Sequence, residues 1–167
     1  MEHRLARWRV PVGFVVGAVA LVRARPTADS IAVGAAIACA GEAVRVWAAG
    51  HLEKAREVTR SGPYRLARHP LYVGSCLMGA GFVVAAHDLL VAFLVAAYLG
   101  LMLTAAIRSE ERFLRQRFGA DYDRYAAGES VDVGRRFSLE RAWRNREYRA
   151  VAGLVAVLGI LWAKATW

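Results

Sequence analysis

The stretch RSGPYRLARHPLYVG, residues 60–74, gathers three arginines, a histidine, two tyrosines and two prolines into fifteen positions between two apolar runs. Ser61-Gly62-Pro63-Tyr64 is turn chemistry, with Gly giving backbone freedom and Pro fixing φ. His69 precedes a proline and is driven to an extended conformation, while Pro70 occupies a favoured helix-start position. The stretch therefore reads as a polar loop that ends where an apolar helix begins, and it places Arg68, His69 and Tyr72 around the mouth of that helix.

Working outward, the 167 residues are 57% hydrophobic with a mean hydropathy of +0.29, yet carry 23 Lys and Arg against 14 Asp and Glu, a net charge of +9. Apolar and basic residues must be segregated, and they alternate in blocks. Five segments, approximately residues 8–22, 31–51, 71–86, 89–107 and 150–167, lack the 3.6-residue amphipathic pattern of a soluble bundle and read as membrane helices. A span needs about 20 residues, so the second and fourth are comfortable and the others short. The expected fold is all-α: a polytopic membrane protein of about five transmembrane helices, residues 1–167 forming one membrane domain.

The basic residues set the expected orientation. Arg4, Arg7 and Arg9 lie at the N-terminus; Lys54, Arg56, Arg60, Arg65 and Arg68 fill the loop before the third span; eleven arginines lie in residues 108–149; the His87-Asp88 connection has none. Positive-inside bias puts the N-terminus, residues 52–70 and residues 108–149 on the cytoplasmic face of a plasma or bacterial inner membrane, with the C-terminus outside. Flanking charges of this kind are accounted for by topology and anionic headgroups, and no nucleic-acid-binding pattern accompanies them. Cys39 and Cys76 both fall within spans, and no metal-ligand spacing occurs, so neither a disulfide nor a metal is expected. Small residues one turn apart, Gly13 with Gly17 and Ser75 with Gly79, would serve internal packing or a homodimer equally well.

Two charges do not belong in a span. Glu42 and Arg45 lie three apart in the second, either as a self-neutralising pair or as the lining of a polar pocket with Trp47. The second loaded segment, SEERFLRQRFGADYDRY, residues 109–125, puts Glu110 and Glu111 at the end of the fourth span. Ile107, Leu114 and Phe118 continue an apolar stripe there. Glu111 with Arg115 makes an ordinary i,i+4 pair, and Asp121, Tyr122 and Tyr125 follow the Gly119 break.

Together the two segments carry a resemblance. G-P-Y-R-x-x-R-H-P-x-Y-x-G at residues 62–74, then E-E-x-x-L-x-x-x-F-G-x-x-Y-x-x-Y at residues 110–125, with Gly41, Arg45 and Trp47 upstream, resembles the isoprenylcysteine carboxyl methyltransferases and the related phospholipid methyltransferases. The resemblance covers residues 41–125. It implies an integral-membrane enzyme that uses S-adenosylmethionine in a cytoplasmic-face pocket and takes a lipophilic acceptor sideways from the bilayer. Carried over by position, Arg68 and Glu111 would be catalytic; Tyr64, His69, Tyr72, Gly74, Glu110, Tyr122 and Tyr125 would hold the cofactor; Glu42, Arg45 and Trp47 would line the substrate pocket. Residues 134–167 depart from that pattern, since members of the family often end soon after a Pro-containing stretch.

A carboxylate acceptor needs no base at neutral pH, so the expected task is positioning and water exclusion, with Arg68 orienting a carboxylate. The expected acceptor is an isoprenoid-type or prenylcysteine-like carboxylate. Phospholipid N-methylation would instead require a base, Glu111 or His69. Membrane sterol reductases share a similar R-H-x-x-Y-x-G loop and use NADPH, but often carry an acid where this chain has Ser75. A non-enzymatic lipid-binding protein would tolerate Glu111→Gln. A transporter-like bundle is disfavoured by the lack of a broken helix.

Overall fold

Glycine decides how the centre of the molecule is built. The computed structural model describes residues 2–129 and 134–167, and of residues 2–10 the backbone alone. Its helices are α1 (Glu2–Arg23), α2 (Ala28–Ala49), α3 (Pro70–Ala86), α4 (Leu89–Phe118), α5 (Ala120–Ala126), α6 (Leu139–Arg144) and α7 (Tyr148–Thr166), with a 3₁₀ turn at Gly62–Arg65. Among the described residues there is no strand. The α2–α3 pair is the most extensive contact in the molecule. It runs antiparallel on a seam of glycines seven residues apart on each helix. A Cβ on Gly81 would meet the Gly34 carbonyl at 2.5 Å, and one on Gly41 would meet the Gly74 carbonyl at 2.7 Å. Backbone thus packs on backbone, the arrangement that small residues permit between membrane helices. Gly74 belongs to this seam.

One end of the seam is closed by caps. Thr27 and Ser30 form a capping box at the start of α2, and the Ser30 hydroxyl also lies 3.1 Å from the Ala85 carbonyl at the end of α3. Asp88 caps α4 by accepting from Val91 N–H at 3.0 Å and pairs with Arg23. Ala20, Ala24, Ile31, Ala85, Ala86, Val91 and Leu161 make a dry core here. Lys164 near the end of α7 donates to the carbonyls of Leu21 and Val22, tying the last helix to α1.

Three helices, α2, α4 and α7, are long and apolar enough to cross a membrane; Pro11–Arg23 and Pro70–Ala86 are shorter apolar helices. The five apolar segments read from the sequence correspond to α1, α2, α3, α4 and α7, with limits that differ. α1 continues through Pro11 to Glu2, and α4 does not stop at Ile107 but runs 30 residues to Phe118. At 1.5 Å per residue α4 is about 45 Å long, against a hydrocarbon core of about 30 Å, so its last turns, residues 108–118, project beyond the bilayer. Large apolar side chains such as Phe14, Phe93, Leu101 and Val155 are exposed along the helices. An apolar surface on that scale is suited to lipid rather than water, and the protein is an integral membrane protein. The side chains of Arg4, Arg7 and Arg9, used above to read orientation, lie outside what the structure describes.

Candidate active site

At the other end of the seam the chain turns polar. Gly62 sits at φ +59° with the His51 ring against its Cα, a place where any side chain would collide. The turn it permits delivers Pro63 and Tyr64 inward and leads to His69, the residue preceding α3. The projecting end of α4 comes alongside. His69 Nε2 lies 3.2 Å from Glu111 Oε1, and the Arg68 guanidinium reaches the same oxygen at 3.5 Å. An ionised carboxylate only accepts, so His69 Nε2 carries the proton in that bond. The other ring nitrogen is 3.8 Å from Glu110 Oε2, and the Tyr72 ring lies 5.7 Å from the imidazole.

α5 supports this junction from below. Tyr122 and Tyr125 pack with Val58, Leu114 and Phe118, and the Tyr125 hydroxyl donates to the Tyr64 carbonyl at 2.9 Å. Arg60 ties the loop to α5 through the Asp121 carboxylate and its carbonyl. The helix break at Gly119, φ +50°, allows α5 to fold back at all.

These residues surround a cavity of about 510 Å³, within the range of small-molecule and cofactor sites. Tyr64, Arg68, His69, Tyr72, Glu110, Tyr122 and Tyr125 line it, together with Phe113, Leu114 and the loop 52–59. Burial works to raise the Glu111 carboxyl, but the His69 hydrogen bond and the Arg68 charge outweigh it, and the group ends below its ordinary value of 4.5. Burial pushes the Tyr125 phenol up to about 12, with Tyr122 adding to it, and drives Tyr64 upward too, so both are neutral hydrogen-bonding groups at physiological pH. The Tyr122 hydroxyl is buried against the cavity and, among the described residues, has no hydrogen-bond partner.

Not every candidate comes to the cavity. Glu111 touches it only through His69 and Arg68 and is absent from its lining, whereas Glu110 lines it directly. Gly74, Glu42, Arg45 and Trp47 lie outside the lining. Arg45 is taken up elsewhere: it pairs with Glu147 at 2.6 Å, donates to Ser75 Oγ at 2.6 Å, and stands 3.7 Å from Glu42. Glu42 and Glu147 are both buried, and neither Glu42 oxygen has a hydrogen-bond partner among the described residues. The sequence reading missed Glu147 and the whole 52–59 wall. The signals were a lone acid heading the last apolar helix and the apolar Leu52, Ala55 and Val58 within a charged loop. Among the described residues no group of three His, Cys, Asp or Glu side chains could hold a metal.

Comparison with known proteins now bears on this geometry. A family model described as phospholipid methyltransferase matches residues 30–121, which contain the glycine seam, the polar turn and the Glu110-Glu111 pair. The chain belongs to the phospholipid methyltransferase family. That is the family of the isoprenylcysteine carboxyl methyltransferases. It is 32% identical over 134 residues to the nickel-cobalt-cadmium resistance protein NccN of Alcaligenes xylosoxydans xylosoxydans, covering 75% of this chain and 62% of that protein. It is 33% identical over 127 residues to the cobalt-zinc-cadmium resistance protein CzcN of Cupriavidus metallidurans, covering 70% and 57%. A probable protein-S-isoprenylcysteine O-methyltransferase of Oryza sativa subsp. indica is 36% identical over 76 residues, 46% of this chain and 40% of that one. The chain thus spans less than two thirds of the curated relatives it matches. No solved structure matches.

Proposed function

We propose that the protein transfers a methyl group from S-adenosylmethionine to a lipophilic acceptor at the cytoplasmic face of the membrane, and that the acceptor group is a carboxylate of an isoprenoid-type or prenylcysteine-like molecule. The observation that carries this reading is the meeting of the two motif halves, His69 and Arg68 on Glu111, beside a cavity at the end of apolar helices. Family membership supports the reaction class.

The residues present fit such a donor. The unpartnered Tyr122 hydroxyl offers a hydrogen bond inside the cavity, Tyr72 and Phe113 offer ring faces, and Glu110 offers a charge toward a cation. Bound there, S-adenosylmethionine supplies a methyl group on a sulfonium, which an in-line nucleophile accepts in one displacement. Arg68 is half-exposed and meets Glu111 through one guanidinium nitrogen, so its other N–H groups can orient a carboxylate. Glu111, kept ionised by His69 and Arg68, fixes both side chains and would add negative potential toward a cationic donor in the cavity. Since a carboxylate acceptor is already deprotonated, His69 serves as an ordering group rather than a base. We place this end of the bundle in the cytoplasm, where the basic loops lie, with the end of α7 on the opposite face.

Two matters weigh on the acceptor. The family description points to phospholipid N-methylation as the alternative, in which His69 or Glu111 must remove a proton. The longer alignments are with bacterial proteins, which supports an inner-membrane setting and a small isoprenoid or lipid acid over a prenylated protein. Calorimetric binding of S-adenosylmethionine, and separately NADPH, to the detergent-purified chain tests the reading. Binding of the methyl donor that Glu111→Gln abolishes is the expected result. Binding of NADPH alone, or of neither, would remove the methyltransferase reading in favour of a reductase or a lipid-binding protein.

A further inference from the structure

The wall of the cavity formed by residues 52–59 does not hold itself. Its internal hydrogen bonds are few: Glu53 N–H to Thr59 Oγ1 at 3.2 Å and Arg56 N–H to the Glu53 carbonyl at 3.2 Å. Ala55 within it sits at φ +59°, a left-handed conformation that an alanine keeps only when its surroundings enforce it. The restraint comes from a segment 80 residues further along the chain. Arg141 Nε donates to Glu53 Oε1 at 2.8 Å, and the same guanidinium reaches the Gly50 carbonyl. Asn145 Nδ2 spans the carbonyls of Ala49 and Leu52, both at 2.9 Å. Ser138 N–H donates to the Gly50 carbonyl, Arg135 pairs with Glu57, and the Phe137 ring covers Gly50 so closely that a Cβ there would collide.

The last turn of a helix leaves carbonyls without partners. At the end of α2 the Ala49 carbonyl, the Gly50 and Leu52 carbonyls that follow it, and the carboxylates of Glu53 and Glu57 are met by residues 135–145. None of Arg135, Arg141 and Asn145 lines the cavity, so they act on it only through the wall. We propose that Arg141 and Asn145, assisted by Arg135, are positioning residues: residues 135–145 form a strut that fixes the 52–59 wall and with it the affinity of the cavity for its methyl donor. This rests on the reading of the cavity as a donor site.

Calorimetric titration of S-adenosylmethionine into the detergent-purified full chain, for the unmodified protein and for R141A, N145A, R141K and K164M, tests the strut. Lys164 anchors α7 to α1 at the far end, so K164M loosens the bundle without touching the wall. R141A and N145A are expected to weaken donor binding about tenfold each, R141K to recover part of the loss, and K164M to lower the melting temperature with donor affinity unchanged. Amide hydrogen exchange of residues 52–59 should quicken in R141A and not in K164M. Unaltered donor affinity in R141A and N145A, or an equal loss in K164M, would overturn the proposal. An unmodified chain that binds no donor would overturn the reading of the cavity instead, and the exchange measurement would still decide the strut, since unchanged exchange in R141A sinks it.

Discussion

The two ends of the α2–α3 pair are built from the same material and do opposite things. At the Gly34–Gly81 end the helices touch backbone to backbone, Ser30 bridges to Ala85, and the surrounding core is alanine, valine and leucine. At the Gly41–Gly74 end the same close approach leaves room for Arg45, whose stem lies against Gly74 and whose guanidinium gathers Ser75, Glu147 and Glu42. Close packing of small residues needs no partner from elsewhere in the chain. A buried charge does, and the partners arrive from 30 residues away in α3 and from the head of α7. The difference teaches that the far end is closed by apolar packing of α1, α2, α3, α4 and α7, whereas the site end is assembled around a buried charge by segments that must dock on it.

The sharpest way to break the comparison is to remove the cation. Arg45→Met leaves Glu42 and Glu147 buried without it, and uncompensated buried charges of this kind cost about 3–5 kcal/mol. The expected outcome is a large fall in thermal stability in detergent, with α7 loosened at its start. Glu147→Gln, which keeps an oxygen facing the guanidinium and removes one of two acids competing for one arginine, should cost far less. Equal losses in the two variants would mean that Glu147, not Arg45, organises the end.

At the opposite end the expected damage is steric and smaller. Gly81→Val drives a side chain into the Gly34 carbonyl and the Ala38 nitrogen, both 2.5 Å from the new Cβ, and overpacking of this sort costs about 1–3 kcal/mol. Because the strain sits in the far end, the melting temperature should drop while donor affinity stays as in the unmodified chain. A donor affinity that fell with stability would show that the two ends are mechanically coupled through the seam.

This contrast also explains what could be read in the sequence. The apolar segments, the turn at Gly62-Pro63 and the pairing of the Arg68-His69 loop with Glu110 and Glu111 are local patterns, or recurrent ones, and the chain displays them in order. The α4 helix outruns the span read at residues 89–107 because composition turns polar there while nothing in SEERFLRQRF breaks a helix; only Gly119 does. Gly74 belongs to the motif yet packs against Arg45, since a glycine required by a helix crossing and one required by a ligand look alike in one dimension. The 52–59 wall was illegible for a different reason. Its conformation is set by Arg141 and Asn145, and no spacing rule links a loop to hydrogen-bond donors that far along the chain.

The smallest effect is a matter of pH. Glu53 lies below its ordinary value of 4.5, first because Arg141 hydrogen-bonds its carboxylate, with burial opposing and the charges of Arg141, Arg144 and Arg135 adding to the lowering. A carboxyl depressed in the folded state binds fewer protons there than in the unfolded chain, so its contribution is complete above pH 4.5 and is lost as the pH falls through the folded value. For a carboxylate near the surface that contribution is within about 1 kcal/mol. Melting of the unmodified chain and of Glu53→Gln, followed from pH 7 down to pH 3, should therefore differ most near neutrality and converge in acid. The far end carries a comparable pair in Asp88 and Arg23, and the Asp88 carboxylate is also held low, first by the Val91 N–H. Asp88→Asn is thus the proper control: if it converges with the unmodified chain over the same interval while Glu53→Gln does not, the acid sensitivity belongs to the α4 cap and the strut is not the weaker of the two ends.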